Sequence, residues 1–345
     1  MKMKSVYCYM LAGLMLSASS CSSWLSEDDA PVMSYDYYET EAGVNAAITA
    51  AYGFLRWGVG GERFDVLTEL GTDLFTEGED GSNRESYNKY ATQLNPDDGI
   101  LYEMWENHYK GISDANIAMQ KIRDSQDLLE SVKIQSYAEM QFIRAYLYFD
   151  LVQQFGRIPL VTEGSFEIRT DFKRAPIADV YNVIISDLRN AAENLPEKAS
   201  VLGRATRYSA AHLLAKVYLT RGSAVKDARG QKATDMDSTL YYAEQVINSG
   251  AYALQENFSS LWDIKNQGNS EAVFAVQFTT EPMFNGDGNK QHLYWLSWYE
   301  DQPGMLRDIE NGRPYRRHVA TKKTMDDLFD RLHDSRFYKS FKWVY

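Results

Sequence analysis

Residues 139–149 read EMQFIRAYLYF and continue as DLVQQF to residue 155, just before Gly156 and Pro159. Met140, Ile143, Leu147 and Leu151 recur at spacings of three and four, the period of a helix that buries one face. A glycine after the last apolar turn can take the left-handed conformation that ends a helix, and a nearby proline prevents its resumption. The spacing predicts a helix over 136–155. Arg144 stands among these apolar neighbours, so it needs a carboxylate partner; Glu139 and Asp187 are the candidates, and its role is structural.

The same signal repeats on both sides. Thr40 can cap a helix to about residue 55, with Val44, Ile48, Ala51 and Leu55 on one face. Residues 101–122 carry Trp105, Tyr109, Ile112, Ala115, Met119 and Ile122 at helical spacing. Pro176 opens a helix through Ile177, Val180, Ile184, Leu188, Ala191 and Leu195. Residues 209–221 and 237–248 give two more, closing near Gly222 and Gly250. The helices come in consecutive pairs, with small residues such as Ala145, Ala191, Ala211 and Ala215 where backbones can approach. The expected fold is mainly α: tetratricopeptide-like helix pairs, an α-α superhelix, with long loops and a minor β element. No clean consensus repeat is present, and an irregular helical bundle is the alternative.

Three stretches break the helical pattern. Residues 75–99 are rich in Gly, Asn, Asp and Ser, a length of irregular chain that usually serves function. Residues 271–280 alternate, with Ala272, Phe274, Val276 and Phe278 on one side, and are a strand candidate. Residues 282–304 follow, turn-rich and crowded with Tyr294, Trp295, Trp298 and Tyr299.

The 345 residues allow one large domain or two ordinary ones, and 44% hydrophobic residues can build a full core. With 48 acids against 36 Lys and Arg, the net charge of −12 argues against a nucleic-acid partner, whose phosphates need clustered bases. The 24 Tyr, 15 Phe and 7 Trp exceed what a core needs, so some rings belong at a surface.

Residues 1–20 read as an export signal: Lys2 and Lys4, an apolar run over 6–16 too short to span a bilayer, then small residues leading to Cys21. Cys8 would leave with the signal, making Cys21 the one thiol of an exported chain, without a disulfide partner. A thiol so placed suits lipid attachment; an ordinary secretory signal with a free cysteine is the alternative. The expected organisation is a signal peptide over 1–20, a lipidated polar tether over 21–38 and a helical domain over 39–345.

Taken in series, these residues resemble the SusD/RagB family of outer-membrane nutrient-binding lipoproteins. The core of the resemblance is residues 139–149 with Gly156 and Pro159-Leu160-Val161. Leu70-Gly71-Thr72-Asp73, the Trp105 to Asn116 helix, Asp187-Leu188, Gly203-Arg204-Ala205-Thr206 and residues 214–219 and 249–254 agree in order. The segment before Cys21 resembles a bacterial lipobox, with Ala18 where a large aliphatic residue is usual. The resemblance implies helix pairs, a lipid anchor on the outer membrane of a Bacteroidetes cell, and a lid over a TonB-dependent, SusC-like transporter that takes up glycans or other nutrients. Members are usually longer, and Asp334-Ser335-Arg336-Phe337 looks like a motif beyond which they continue, so the C-terminal part of the domain is expected to be truncated.

Signals for catalysis are thin. The five His residues are scattered, His212 reads as structural, and neither a zinc motif, a nucleophile elbow nor a phosphate-binding glycine loop is present. No catalytic residue and no cofactor is implied. Residues 77–83 and 285–289 offer oxygens but not a calcium-loop spacing, and read as solvated turns. Sugars stack their C–H faces on Trp and Tyr and bond through hydroxyls to Asn, Asp and Arg. The candidate ligand residues are therefore Trp295, Trp298, Tyr294 and Tyr299, joined from the loop by Asn83, Arg84, Tyr87 and Tyr90. If 294–299 is helical, Trp295 and Trp298 share a face; the alternative is that these rings pack inward or against the transporter. The function expected is non-catalytic capture of a glycan or other nutrient, with a glycan-degrading enzyme and a protein-binding scaffold as alternatives.

Overall fold

In a computed structural model of the chain, the residues described are 40–80, 84–90, 94–165, 169–225, 228–281, 283, 286 and 288–341. Cys21, Asn83 and the signal and tether lie outside them.

Six long helices carry the fold. Helix α1, Glu41–Leu55, starts where Thr40 accepts a hydrogen bond from the Gly43 amide, and it buries Val44, Ile48, Ala51 and Leu55. Helix α2, Gly99–Asp124, is capped by Asp98, which takes the Ile100 amide, and ends with Lys121 and Arg123 against its negative pole. Helix α3, Glu130–Phe155, begins six residues before the sequence-based start and is buried on nearly every side from Ala138 to Val152. Gly156 ends it with φ +68°. Helix α4 is Ile177–Asn194, with Pro176 at its cap; α5 is Arg207–Gly222, opened by a Thr206/Ser209 capping box; α6 is Asp235–Ile247.

Each helix from α2 to α5 packs on its successor, and α1 lies against α2 and α3. This is the helix-pair architecture read from the sequence. One continuous core runs from Val44 to Tyr218. Gly111 is required at a helix crossing: a Cβ there would lie 2.6 Å from Leu147 and 2.9 Å from Phe54.

A polar network pins the middle of this core. Arg144, 6% exposed, gives Nε and Nη2 to the two oxygens of Asp187 at 2.8 Å each. Its Nη1 reaches Asn116 Oδ1 at 2.7 Å and the Thr162 carbonyl at 3.0 Å. One side chain thus joins α2, α3, α4 and the segment after α3. Glu139, the other candidate, bonds Tyr52 and Arg204 instead. Residues 139 and 144 are roughly 140° apart around a helix, so they face different neighbours.

After α6 the chain forms short helical turns and extended runs. Residues 271–280 correct the strand expectation. Phe274 and Val276 do pack on the helical core, Phe274 edge-on to Phe142 at 5.1 Å, but no ladder forms. Its polar backbone is met by side chains: Ser209 Oγ donates to the Val273 carbonyl and Arg56 Nε to that of Gln277. The β element lies elsewhere. Strand β1, Phe75–Glu77, pairs antiparallel with β2, His318–Ala320, in the register Phe75 to Ala320 and Glu77 to His318. His212 stands on the exposed side of α5.

Candidate functional site

The chain leaves α1 through a glycine-rich turn, Trp57–Gly60, into a short helix, Glu62–Thr68. The late segment folds back over this turn. Phe278 packs on Gly60, where a Cβ would come within 2.6 Å of its ring, so only glycine fits. The Lys290 amide donates to the Gly60 carbonyl and Gln291 Nε2 to that of Gly61, both at 3.0 Å. A short helix, Gln291–Trp295, is held against the run into β2 by the Tyr315 amide on Leu293 O and the Arg317 amide on Tyr294 O.

Between these pieces lies an open cleft of about 680 Å³, with Trp57, Tyr294 and Phe278 as ring surfaces. At its floor Glu62 is 5% exposed and spends both oxygens on arginines. Oε1 accepts from Arg84 Nε at 2.7 Å, and Oε2 from Arg317. Arg317 lies over the Tyr294 ring at 5.6 Å and the Tyr315 ring at 4.9 Å, and Arg56 lies over Phe278 at 5.6 Å. Burial raises the Tyr294 phenol above its ordinary range, so it stays a neutral donor and acceptor. Ring faces beside fixed, charged hydrogen-bond donors suit a ligand with both apolar faces and polar edges.

Beneath the cleft, Trp295 packs edge-on to Phe75 at 4.8 Å and against His318 at 5.0 Å, with its Nε1 on Gln291 Oε1. His318 is fully buried, and neither ring nitrogen has a hydrogen-bond partner. Its Nε2 lies 3.9 Å from Asp65 Oδ2, itself buried and unbonded. Desolvation pushes Asp65 up to about 6 and His318 down to about 4.

Of the sequence-predicted residues, the cleft brings together Tyr294 and Arg84. Trp298 does not share a helical face with Trp295, because the helix ends there and Leu296 is extended. Two residues need correction as surface rings. Tyr299 is 2% exposed, with its hydroxyl donated to the Gly312 carbonyl at 2.7 Å. Tyr87 is buried in a small cluster with Val66, Leu70 and Ile100. Tyr90 is 69% exposed in the left-handed conformation after the short helix Glu85–Lys89, apart from the cleft lining. Trp57, Arg63, Lys290 and Arg317 were missed. The glycines of 58–61 beside Trp57, and the Arg316-Arg317 pair, were the available signals.

A second cavity, about 520 Å³ and mostly apolar, lies between α2 and residues 159–165 and 169–172, under Trp105, Tyr109 and Phe172. Among the described residues no group of three or more His, Cys, Asp or Glu is placed to hold a metal ion, and no helix is long and apolar enough to cross a membrane.

Residues 32–219 match a SusD-like family described as starch-binding and associating with the outer membrane. The SusD-like protein P2 of Formosa agariphila is 27% identical over 341 residues, which is 90% of this chain and 63% of that protein. The starch-binding protein SusD of Bacteroides thetaiotaomicron is 27% identical over 176 residues, 51% of this chain and 29% of that one. This chain therefore spans less than two thirds of either relative. Among solved structures, a laminarin-binding SusD-like protein aligns at TM-score 0.58 and 28% identity over 68% of this chain and 50% of its own. A SusD superfamily protein from Parabacteroides distasonis reaches TM-score 0.70 at 24% identity, over 86% of this chain and 61% of its own, a likeness of fold.

Proposed function

The chain belongs to the SusD-like family, and from that premise we propose that it is a non-catalytic lipoprotein of the cell surface. It binds a glycan or similar nutrient and delivers it to a TonB-dependent, SusC-like transporter. The observation that carries this reading is the open cleft in which Tyr294, Trp57 and a set of arginines converge on one surface. Glu62, the buried carboxylate there, is occupied by two guanidiniums rather than paired with a second carboxylate across a scissile bond. Cys21 is the proposed site of the lipid anchor, which would hold the cleft outside the outer membrane.

Starch and laminarin are the first polymers to try, given the relatives' names. On affinity gels the protein should be retarded by its polymer without producing new reducing ends. Tyr294→Ala or Trp57→Ala should weaken that binding by roughly 5- to 50-fold, the worth of one stacked ring. Oligosaccharide released with time would favour a glycan-degrading enzyme instead. Binding untouched by either change would move the site elsewhere, the cavity under Trp105 and Phe172 being next. Incorporation of labelled palmitate, lost in Cys21→Ala, tests the anchor.

A further inference from the structure

The chain as a whole carries 12 more acidic than basic charges, yet the described lining of the cleft reverses that balance. Arg56, Arg63, Arg84, Lys290 and Arg317 line it, against Glu62 and Glu103 among the described lining residues. Adding Asp80, 3.8 Å from Arg317 Nε, still leaves the cations in excess. The arrangement is also built rather than scattered. Arg84 and Arg317 come from segments more than 230 positions apart and are locked onto the one buried carboxylate of Glu62. Arg317 is further fixed between the rings of Tyr294 and Tyr315, and its Nε is buried without a hydrogen-bond partner. Arg63, held by Glu103 at 2.7 Å, and exposed Lys290 place further charge on the lining.

A neutral sugar needs donors and acceptors but no net charge. Gathering cations into one cleft of an acidic protein raises the local positive potential, which an anionic ligand would relieve. Guanidinium forks match the two oxygens of a carboxylate or sulfate. Resting on the glycan-binding reading above, we infer that this cleft selects an acidic glycan, one whose sugars carry carboxylate or sulfate groups. The rings hold the sugar faces and the arginines hold the anionic substituents.

The test uses the protein with paired polymers: polygalacturonate against its methyl ester, and dextran sulfate against dextran, with amylopectin and laminarin as neutral references. At least one acidic polymer should bind ten-fold or more tightly than its neutral counterpart, with affinity falling as salt rises. Which pair shows the difference tells carboxylate from sulfate. Lys290→Gln and Arg63→Gln, both at exposed side chains, should each weaken the acidic polymer by about 3- to 10-fold with an unchanged thermal melt. Arg317→Gln should do more, but it disturbs Glu62, so the exposed pair decides. Neutral polymers binding as well as acidic ones, or acidic binding indifferent to both exposed changes, overturns this inference and leaves the glycan reading standing. Binding of no polymer overturns both.

Discussion

The helical array and the segment that follows it are made by opposite means. From α1 to α5 every helix adds to one core, and the buried charges there are matched one to one: Arg144 with Asp187, and Arg221 on α5 with Asp235 on α6 at 2.6 Å. Beyond α6, Tyr299 and Phe337 are the buried large hydrophobics among the described residues, and buried polar groups are left unmatched, as at His318. The array gains stability by repeating local contacts. The late segment is held by a few distant anchors: a three-residue strand pair, Glu62 with its two arginines, and Phe278 on Gly60. Parts held by few contacts open more readily, and binding surfaces are drawn from them.

The sharpest way to break that contrast is to unpair the array. Arg144→Ala leaves the Asp187 carboxylate buried without a counter-charge, with Gln141 Nε2 still donating to it at 3.0 Å, and should cost about 3–5 kcal/mol in urea titrations. A loss no larger than that of a surface change would mean that the network is not central.

Next comes the interface of the two regions, where Asp65 and His318 meet. Asp65 has a raised pKa, so the folded state holds its proton more tightly, and its contribution falls as pH rises from about 4 to about 6. His318 has a lowered pKa, so its contribution is present above about 6.5 and is lost as pH falls toward 4. In the same window the two slopes oppose each other and nearly cancel. Asp65→Asn should therefore lose up to about 3 kcal/mol on going from pH 6.5 to pH 4, while His318→Gln should gain a similar amount from pH 6 to pH 4. Thermal melts across pH read both, and slopes of the same sign in the two variants would refute the pairing. The groups facing this pair include Glu62, Glu69, Arg84 and Arg317, and they remain in both variants.

The smallest effect is Thr40→Ala, which removes the cap on α1 and should cost about 1 kcal/mol by denaturant midpoint. A much larger loss would mean that the array leans on end signals rather than on packing.

What the sequence made legible follows the same divide. Helical spacing found all six long helices because periodicity is a local property, and it found the Arg144 requirement because a charge in an apolar run must be answered. The partner was open, since only the fold brings α4 against α3. For residues 271–280 alternation identified which side chains turn inward but not whether another strand lies alongside. The true strands are three residues each, too short to show a period. Tyr294 and Arg84 reached the cleft, while Tyr87 and Tyr299 did not. A ring's surroundings depend on partners such as Ile100 or Gly312, which composition does not reveal.

The pairing of Phe75 with Ala320 has a kinetic consequence. Successive helices dock across connections of about forty residues or fewer and form early, whereas this strand pair must close a loop of more than 240 residues before it is rewarded. The scaffold is thus expected to fold on a fast clock and the cleft on a slow one. A newly made chain would be a stable body before its cleft is assembled.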